Sequence, residues 1–306
     1  MKKEYNGVIV PMITPVTKER KPDDISVTRL CRYFEKYNVS VFLLGTTGES
    51  PSVNSEESRG LIKMASKVLK GKVKLYAGIT GNCINENIEN ARTYIELGAD
   101  VIVSVLPHYY KLTPEEMFSY FKNLADALNF PLMIYNIPAT TGMSIPLDVV
   151  EELSHHRSIC GFKDSERDIE RMEKSVATFR DRDDFSYFCG YAAISSIALK
   201  LGADGLVPST ANFVPGMFSQ LYEYSKTFQW VESERMQRST DEIASIYQTG
   251  RTLGGSIQAL KSMMSVLGLC EPYAIPPLSD LSESEHEEIR NVTFGIVKKY
   301  KISNVT

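Results

Sequence analysis

The 306-residue chain has one tryptophan, four histidines and five cysteines, and none of these is spaced for metal ligation. Cys31, Cys83, Cys160, Cys189 and Cys270 are odd in number, far apart and without a Cys-x-x-Cys pair, which argues against a disulfide framework or zinc ribbon. Free thiols fit better, with Cys160 and Cys189 inside apolar strand candidates, and they suit a reducing compartment. His155 and His156 are adjacent, and neighbours on a helix diverge by about 100°, poor geometry for one metal ion. No apolar run is long enough to span a bilayer. The opening Met-Lys-Lys-Glu-Tyr-Asn lacks the apolar stretch of a signal peptide, so the sequons at Asn38 and Asn291 are read as chance matches. Net charge is −4, which gives no field drawing the chain to nucleic acid or an anionic membrane. The expectation is a cytoplasmic protein with no metal, no nucleic-acid partner and no membrane partner.

What is present is ordinary globular composition, 43% hydrophobic and 24% charged, long enough for one large α/β domain with an appendage. Short β-branched runs alternate with helix-patterned segments. The strand candidates are Val8–Ile13, Val41–Leu44, Lys74–Ile79, Val101–Val105, Leu132–Tyr135, Ile159–Lys163, Phe185–Cys189 and Gly205–Val207. Helices are expected over Ser55–Leu69, Asn85–Leu97, Pro114–Leu128 and Asp168–Phe179, the last with Ile169, Met172, Val176 and Phe179 on one face. Eight strands alternating with helices predict a parallel sheet closed into a (β/α)8 TIM barrel, in preference to an open doubly wound sheet. Leu97-Gly-Ala-Asp-Val-Ile-Val and Leu201-Gly-Ala-Asp-Gly-Leu-Val are near copies. In each, a glycine can take the left-handed helix cap before a buried strand, which suits strands four and eight.

Beyond Tyr224 the strand signal ends. Helices are expected over Val231–Tyr247, Ser256–Leu267 and Ser282–Tyr300, with a helix start at Asp280-Leu-Ser-Glu-Ser-Glu. The expected organisation is a barrel over residues 1–225 and a three-helix C-terminal extension over 226–306, packed on the barrel.

Reactive groups of such barrels sit at the C-terminal ends of the strands. Strand six ends at Lys163, where loss of water lowers an amine's pKa and can free it to attack a ketone. The alternative is a structural ion pair, with Asp164 as the adjacent partner. Tyr135, one strand away, is placed either as a core residue or as a proton relay. Strand two runs into Gly45-Thr46-Thr47-Gly48-Glu49-Ser50, which can offer amides and hydroxyls to a carboxylate or simply cap the next helix. His108 reads as a loop residue rather than a catalyst, and the roles of Tyr109 and Tyr110 stay open.

Gly-Thr-Thr-Gly-Glu-Ser, the strand-four Tyr-Tyr, Tyr-Asn-Ile-Pro-x-x-Thr-Gly and Gly-x-Lys-Asp-Ser occur here in order. Together they resemble the dihydrodipicolinate synthase / N-acetylneuraminate lyase family, from about Gly7 to the C-terminus. The resemblance implies a (β/α)8 barrel with helical extension, commonly a homotetramer built as a dimer of dimers. It also implies class I aldolase chemistry on pyruvate or another 2-keto acid, with no cofactor beyond the lysine Schiff base. By that resemblance Lys163 is the Schiff-base lysine and Tyr135 the proton shuttle. Thr46 and Tyr109 complete the hydroxyl relay, Tyr109 reaching in from a neighbouring subunit. The amides of Thr46 and Thr47, with the Thr47 side chain, take the keto-acid carboxylate, while Gly190 and Val207 line the pyruvate end.

Thr140 stands where the synthases carry an arginine that grips aspartate semialdehyde, and it cannot form that bidentate pair. Lys111 or Arg167 is a conceivable substitute. Gly190-Tyr191 is followed by Ala192-Ala193 where sialic acid lyases carry an acidic pair. Thr140 and Thr141 suit a hydroxylated substrate, and Ser209–Pro215 resembles the 2-keto-3-deoxy-sugar-acid aldolases. The leading expectation is a pyruvate-dependent aldolase or lyase on a 2-keto-3-deoxy sugar acid. The alternatives are dihydrodipicolinate synthesis, N-acetylneuraminate cleavage, and a non-catalytic barrel that binds a keto acid.

Overall fold

The structure, a computed structural model, describes residues 3–303. Eight parallel strands close into one barrel in sequential order. They are β1 (Gly7–Pro11), β2 (Ser40–Leu43), β3 (Leu75–Ile79), β4 (Val101–Val105), β5 (Leu132–Asn136), β6 (Ile159–Asp164), β7 (Ser186–Cys189) and β8 (Gly205–Leu206). Closure is made where Gly7 and Val8 pair with Gly205 and Leu206. The helices are α1 (Asp24–Lys36), α2 (Ser55–Leu69), α3 (Ile84–Glu96), α4 (Pro114–Leu128), the short α5 (Pro138–Thr141), α6 (Leu147–Leu153), α7 (Ile169–Phe179), α8 (Ser195–Leu201) and α9 (Pro215–Lys226). Three more follow the barrel, α10 (Trp230–Gln248), α11 (Leu253–Val266) and α12 (Glu283–Tyr300). Each expected strand is present to within two residues at either end, and the expected (β/α)8 barrel with C-terminal helices is what forms.

The strands form because both faces of each are buried, so they are nearly continuous apolar runs. Alternation divides them between two cores. Ile9, Phe42, Tyr76, Val101, Val103, Met133, Tyr135, Phe188 and Val207 fill the barrel interior. Their neighbours Val8, Val10, Val41, Ile102, Leu132, Ile134 and Phe162 face outward against the helices. Gly98 and Gly202 precede β4 and β8 with φ of 104° and 112°, the left-handed conformation anticipated from the repeated Leu-Gly-Ala-Asp. Ser282 caps α12 in a reciprocal box with Glu285, as its sequence suggests. Of the apolar face expected on α7, Met172, Val176 and Phe179 are buried, but Ile169, in its first turn, is exposed.

One irregularity positions the site. Ile159 opposes Leu132, but Gly161 opposes Met133, leaving Cys160 as the extra residue of a β-bulge. Above it the ladder resumes with Tyr135 opposite Lys163 and Asn136 opposite Asp164. Cys160 and Tyr135 both belong to the interior cluster, and Lys163 lies beside Phe42 and Tyr135 within it.

All five cysteines are free, and four are buried, Cys83 being exposed. Among the described residues no helix is long and apolar enough to cross a membrane.

Candidate active site

Lys163, the last residue but one of β6, stands inside the barrel mouth and is 4% exposed. Its ammonium lies over the Tyr135 ring, 3.6 Å from the centroid, and 4.9 Å from the centroid of Phe42. Burial pushes its pKa down from the ordinary lysine range, and the neighbouring Tyr135 offsets part of that effect. Asp164 is not its partner. Successive strand residues face opposite sides, and Asp164 turns outward to Arg171 Nε at 2.7 Å and Asn136 Nδ2 at 2.8 Å. The ion-pair alternative for Lys163 is therefore set aside, leaving a dry amine among rings.

The Asp164 cluster holds the ends of β5 and β6 together. Asn136 also donates to Glu166 (2.9 Å) and accepts from the Ile145 amide (3.0 Å), while Arg171 donates to the Ile145 carbonyl (2.8 Å). The loop carrying Thr140 is thus tied at its far end to the strand carrying Lys163. Burial raises the Asp164 pKa, with Arg171 and Asn136 opposing the rise.

Tyr135 is the junction of the site. Its phenol lies 3.4 Å from the Thr46 hydroxyl, and either group can donate. A hydroxyl pair beside a dehydrated amine can carry protons to and from an oxygen leaving a carbonyl carbon.

A cavity of about 130 Å³ opens beside this pair. Thr46, Tyr135 and Thr140 line it, together with Phe42, Gly45, Ser50, Thr80, Val103, Val105, Thr141 and His108. Lys163 does not line it but stands against Phe42 and Tyr135, which do. Thr47, Gly190 and Val207 lie outside this lining. Val207 belongs to the interior cluster beside Phe188, and its amide donates to the Cys189 carbonyl at 2.9 Å. Gly190 donates to the Asp164 carbonyl at 2.7 Å, and a Cβ there would come within 2.1 Å of Ser165 Oγ. Only glycine permits that approach of β7 to the end of β6.

Thr140 and Thr141 both line the cavity, but their hydroxyls are engaged differently. Thr141 is buried and its hydroxyl serves the Ile137 and Met143 carbonyls at 3.1 and 3.0 Å. Thr140 is exposed to the cavity, with a longer 3.3 Å bond to the Ile137 carbonyl. His108, read from sequence as a loop residue, does lie in the loop after β4, and from there it also walls the cavity. Asn82 holds that turn by accepting from the His108 and Tyr109 amides at 2.9 and 3.3 Å. Tyr109 is 77% exposed, stacked edge-on with Tyr110 at 5.0 Å between ring centroids, and does not reach Tyr135 within its own chain.

Neither conceivable substitute for the missing arginine enters the cavity. Lys111 Nζ is bonded to the Gly142 carbonyl, and the Arg167 guanidinium lies 5.4 Å from the Tyr191 ring centroid. Among the described residues no three His, Cys, Asp or Glu side chains gather as a metal site.

The chain is similar to known proteins across nearly its whole length. The model of the dihydrodipicolinate synthetase family matches residues 4–293. The 4-hydroxy-tetrahydrodipicolinate synthase of Alkalilimnicola ehrlichii is 29% identical, over 94% of this chain and 97% of that one. A probable 2-dehydro-3-deoxy-D-pentonate aldolase of Escherichia coli K12 is 25% identical, over 94% and 96%. The crystal structure of dihydrodipicolinate synthase from Acinetobacter baumannii, complexed with pyruvate, superposes with a TM-score of 0.86 at 26% identity, covering 97% and 99%. A closed barrel with its C-terminal helices, and a family match from residue 4 to residue 293, make this chain a member of the dihydrodipicolinate synthetase family, a family of class I lyases and aldolases.

Proposed function

We propose that the protein is a Schiff-base, pyruvate-dependent aldolase whose substrate is a 2-keto-3-deoxy sugar acid or a similar hydroxylated 2-keto acid. The observation that carries the covalent chemistry is the isolation of Lys163, buried against Tyr135 while its neighbouring carboxylate is engaged by Arg171. The pyruvate complex of the Acinetobacter relative is consistent with the same keto acid here.

In the cleavage direction, Lys163 Nζ attacks the C2 carbonyl of the keto acid and water leaves, giving a protonated imine. Tyr135, relayed by Thr46, supplies the proton that leaves with the oxygen. The C3–C4 electron pair then flows into the imine as the C4 hydroxyl proton passes to Tyr135. An aldehyde departs and an enamine remains on Lys163. Protonation at C3 and hydrolysis release pyruvate and the free amine. In this reading the Thr46 and Thr47 amides and the Thr47 side chain take the carboxylate, and Gly190 and Val207 border the pyruvate end.

The cavity composition supports the sugar-acid reading. Ser50, Thr80, Thr140 and His108 present hydroxyls and an imidazole, and among the described residues no lysine or arginine stands in the lining. Such a wall matches a neutral polyol better than a carboxylate, which would lose a charge-assisted pair worth about 1.5–3 kcal/mol. Release of pyruvate from 2-keto-3-deoxygluconate or its galactonate epimer tests this; release from neither, by a folded enzyme, removes the class.

A second reading, condensation of pyruvate with aspartate semialdehyde, is favoured by the Tyr135–Thr46 contact and by the synthase relatives. It would need Tyr109 to enter from a second subunit, and the exposed Tyr109–Tyr110 pair is the surface proposed for that association in a homotetramer.

A further inference from the structure

The turn between β2 and α2 is gripped by residues from outside it. It is bracketed by two non-glycine residues in the left-handed region, Leu44 at φ 57° and Glu49 at φ 54°. Such residues persist only where their surroundings over-determine them. For Glu49 those surroundings are supplied by the C-terminal helices. Its side chain is 1% exposed and is met by Lys261 of α11, itself wholly buried, in an ion pair. Gln258 Nε2 and the Ile275 amide donate to the same carboxylate at 3.2 and 3.1 Å. Lys261 also donates to the Tyr273 carbonyl at 3.0 Å, which fixes the ammonium in place. On the other side of the turn, Thr14 Oγ1 donates to the Gly48 carbonyl at 2.6 Å.

A carboxylate taken fully out of water must be paired, or it moves toward solvent or takes up a proton. Glu49 cannot move without turning the peptides before it, and those peptides carry the amides of Thr46 and Thr47. We propose that Lys261 is a positioning residue for the keto-acid site. By pairing Glu49 from outside the barrel, it holds the Gly45–Gly48 amides in the geometry that takes the substrate carboxylate. This rests on the reading of that turn as the carboxylate site.

The test uses the full-length enzyme and borohydride trapping at Lys163, with the pyruvate concentration at half-maximal adduct as the readout. Lys261→Met is expected to raise that concentration at least tenfold, while the trapping rate at saturating pyruvate changes less than threefold. Ile296→Val, a cavity-forming change in α12, is the control: it lowers Tm and leaves half-saturation unmoved. If Lys261→Met does not fold, Glu49→Gln, which keeps the shape of the side chain, is expected to raise half-saturation at least threefold. Half-saturation equal to wild type in the folded variant overturns the inference and leaves the Schiff-base reading standing. No adduct in the wild-type enzyme overturns both.

Discussion

Tyr135 and Lys163 are register partners on adjacent strands, and the amine meets the face of the ring, 3.6 Å from its centroid. The phenol is then free to turn toward Thr46, at 3.4 Å. One tyrosine thus lies under the amine with its ring face and, at its other end, meets a threonine hydroxyl, the arrangement that the proposed proton relay requires.

Because burial lowers the Lys163 pKa, adduct formation with pyruvate should rise with pH and level off below about 10.4, the ordinary lysine value. Borohydride trapping followed by peptide mass spectrometry across pH measures this. The adduct should be absent in Lys163→Ala. A profile still rising at the ordinary lysine value would show that the amine is not activated.

The same shift has a stability consequence with a definite sign. Below the folded pKa, both states carry the proton and the folded state bears the full cost of a buried charge. Between the folded pKa and the unfolded value near 10.4, only the unfolded chain keeps the proton, so stability rises with pH. Lys163→Met should remove that rise and raise Tm at neutral pH. An unchanged slope of unfolding free energy against pH would place its origin elsewhere.

Tyr135→Phe keeps the ring and removes the proton route. Turnover should fall by about 100-fold or more, with borohydride still labelling Lys163 at saturating pyruvate. Thr46→Val leaves the phenol in place and should cost less, about 10-fold. Steady-state pyruvate release decides it, and wild-type rates in Tyr135→Phe would reject the relay.

Arg171→Met strips a buried carboxylate of its partner at the joint of β5, β6 and the Thr140 loop. Breaking such a pair from one side costs about 3–5 kcal/mol, and Asp164→Asn made together with Arg171→Met should recover part of it. Denaturant unfolding of the single and double variants gives the comparison. Additive losses would mean that the two side chains are not energetically coupled.

Thr140→Arg places a guanidinium at the rim of a cavity whose lining, among the described residues, has no lysine or arginine. Activity on 2-keto-3-deoxy sugar acids should fall by about 10-fold or more, and condensation with aspartate semialdehyde should gain. Equal loss of both activities would show that position 140 does not select the second substrate.

Much of this was legible along the chain, because strands buried on both faces are apolar runs and left-handed caps call for glycine. Lys163 could be found as a lysine closing such a run, and Tyr135 by its equivalent place on the preceding strand. The directions of side chains were not legible. Nothing local tells that Thr141 spends its hydroxyl on backbone carbonyls while Thr140 faces the cavity, or that His108 is a wall of it. Ile169 fits the apolar period of α7 yet is exposed, since a first turn can overhang its neighbours. The Glu49–Lys261 pair joins segments far apart in sequence. Its one local sign was a lysine set among Ile257, Leu260, Met263 and Met264, a poor place for a charge without a partner.

Six residues of β6 run beside five of β5, with both ends matched, so the strand that bears the amine has one residue of slack below it. Were the two strands counted off evenly from Ile159, Phe162 would stand opposite Tyr135 and Lys163 would face the helices. The bulge therefore acts as a phase adjuster, separating the parity of the upper strand from that of the lower. Loss of Cys160 would leave the amine pointing inward, whereas one residue added between Gly161 and Lys163 would turn it out of the barrel.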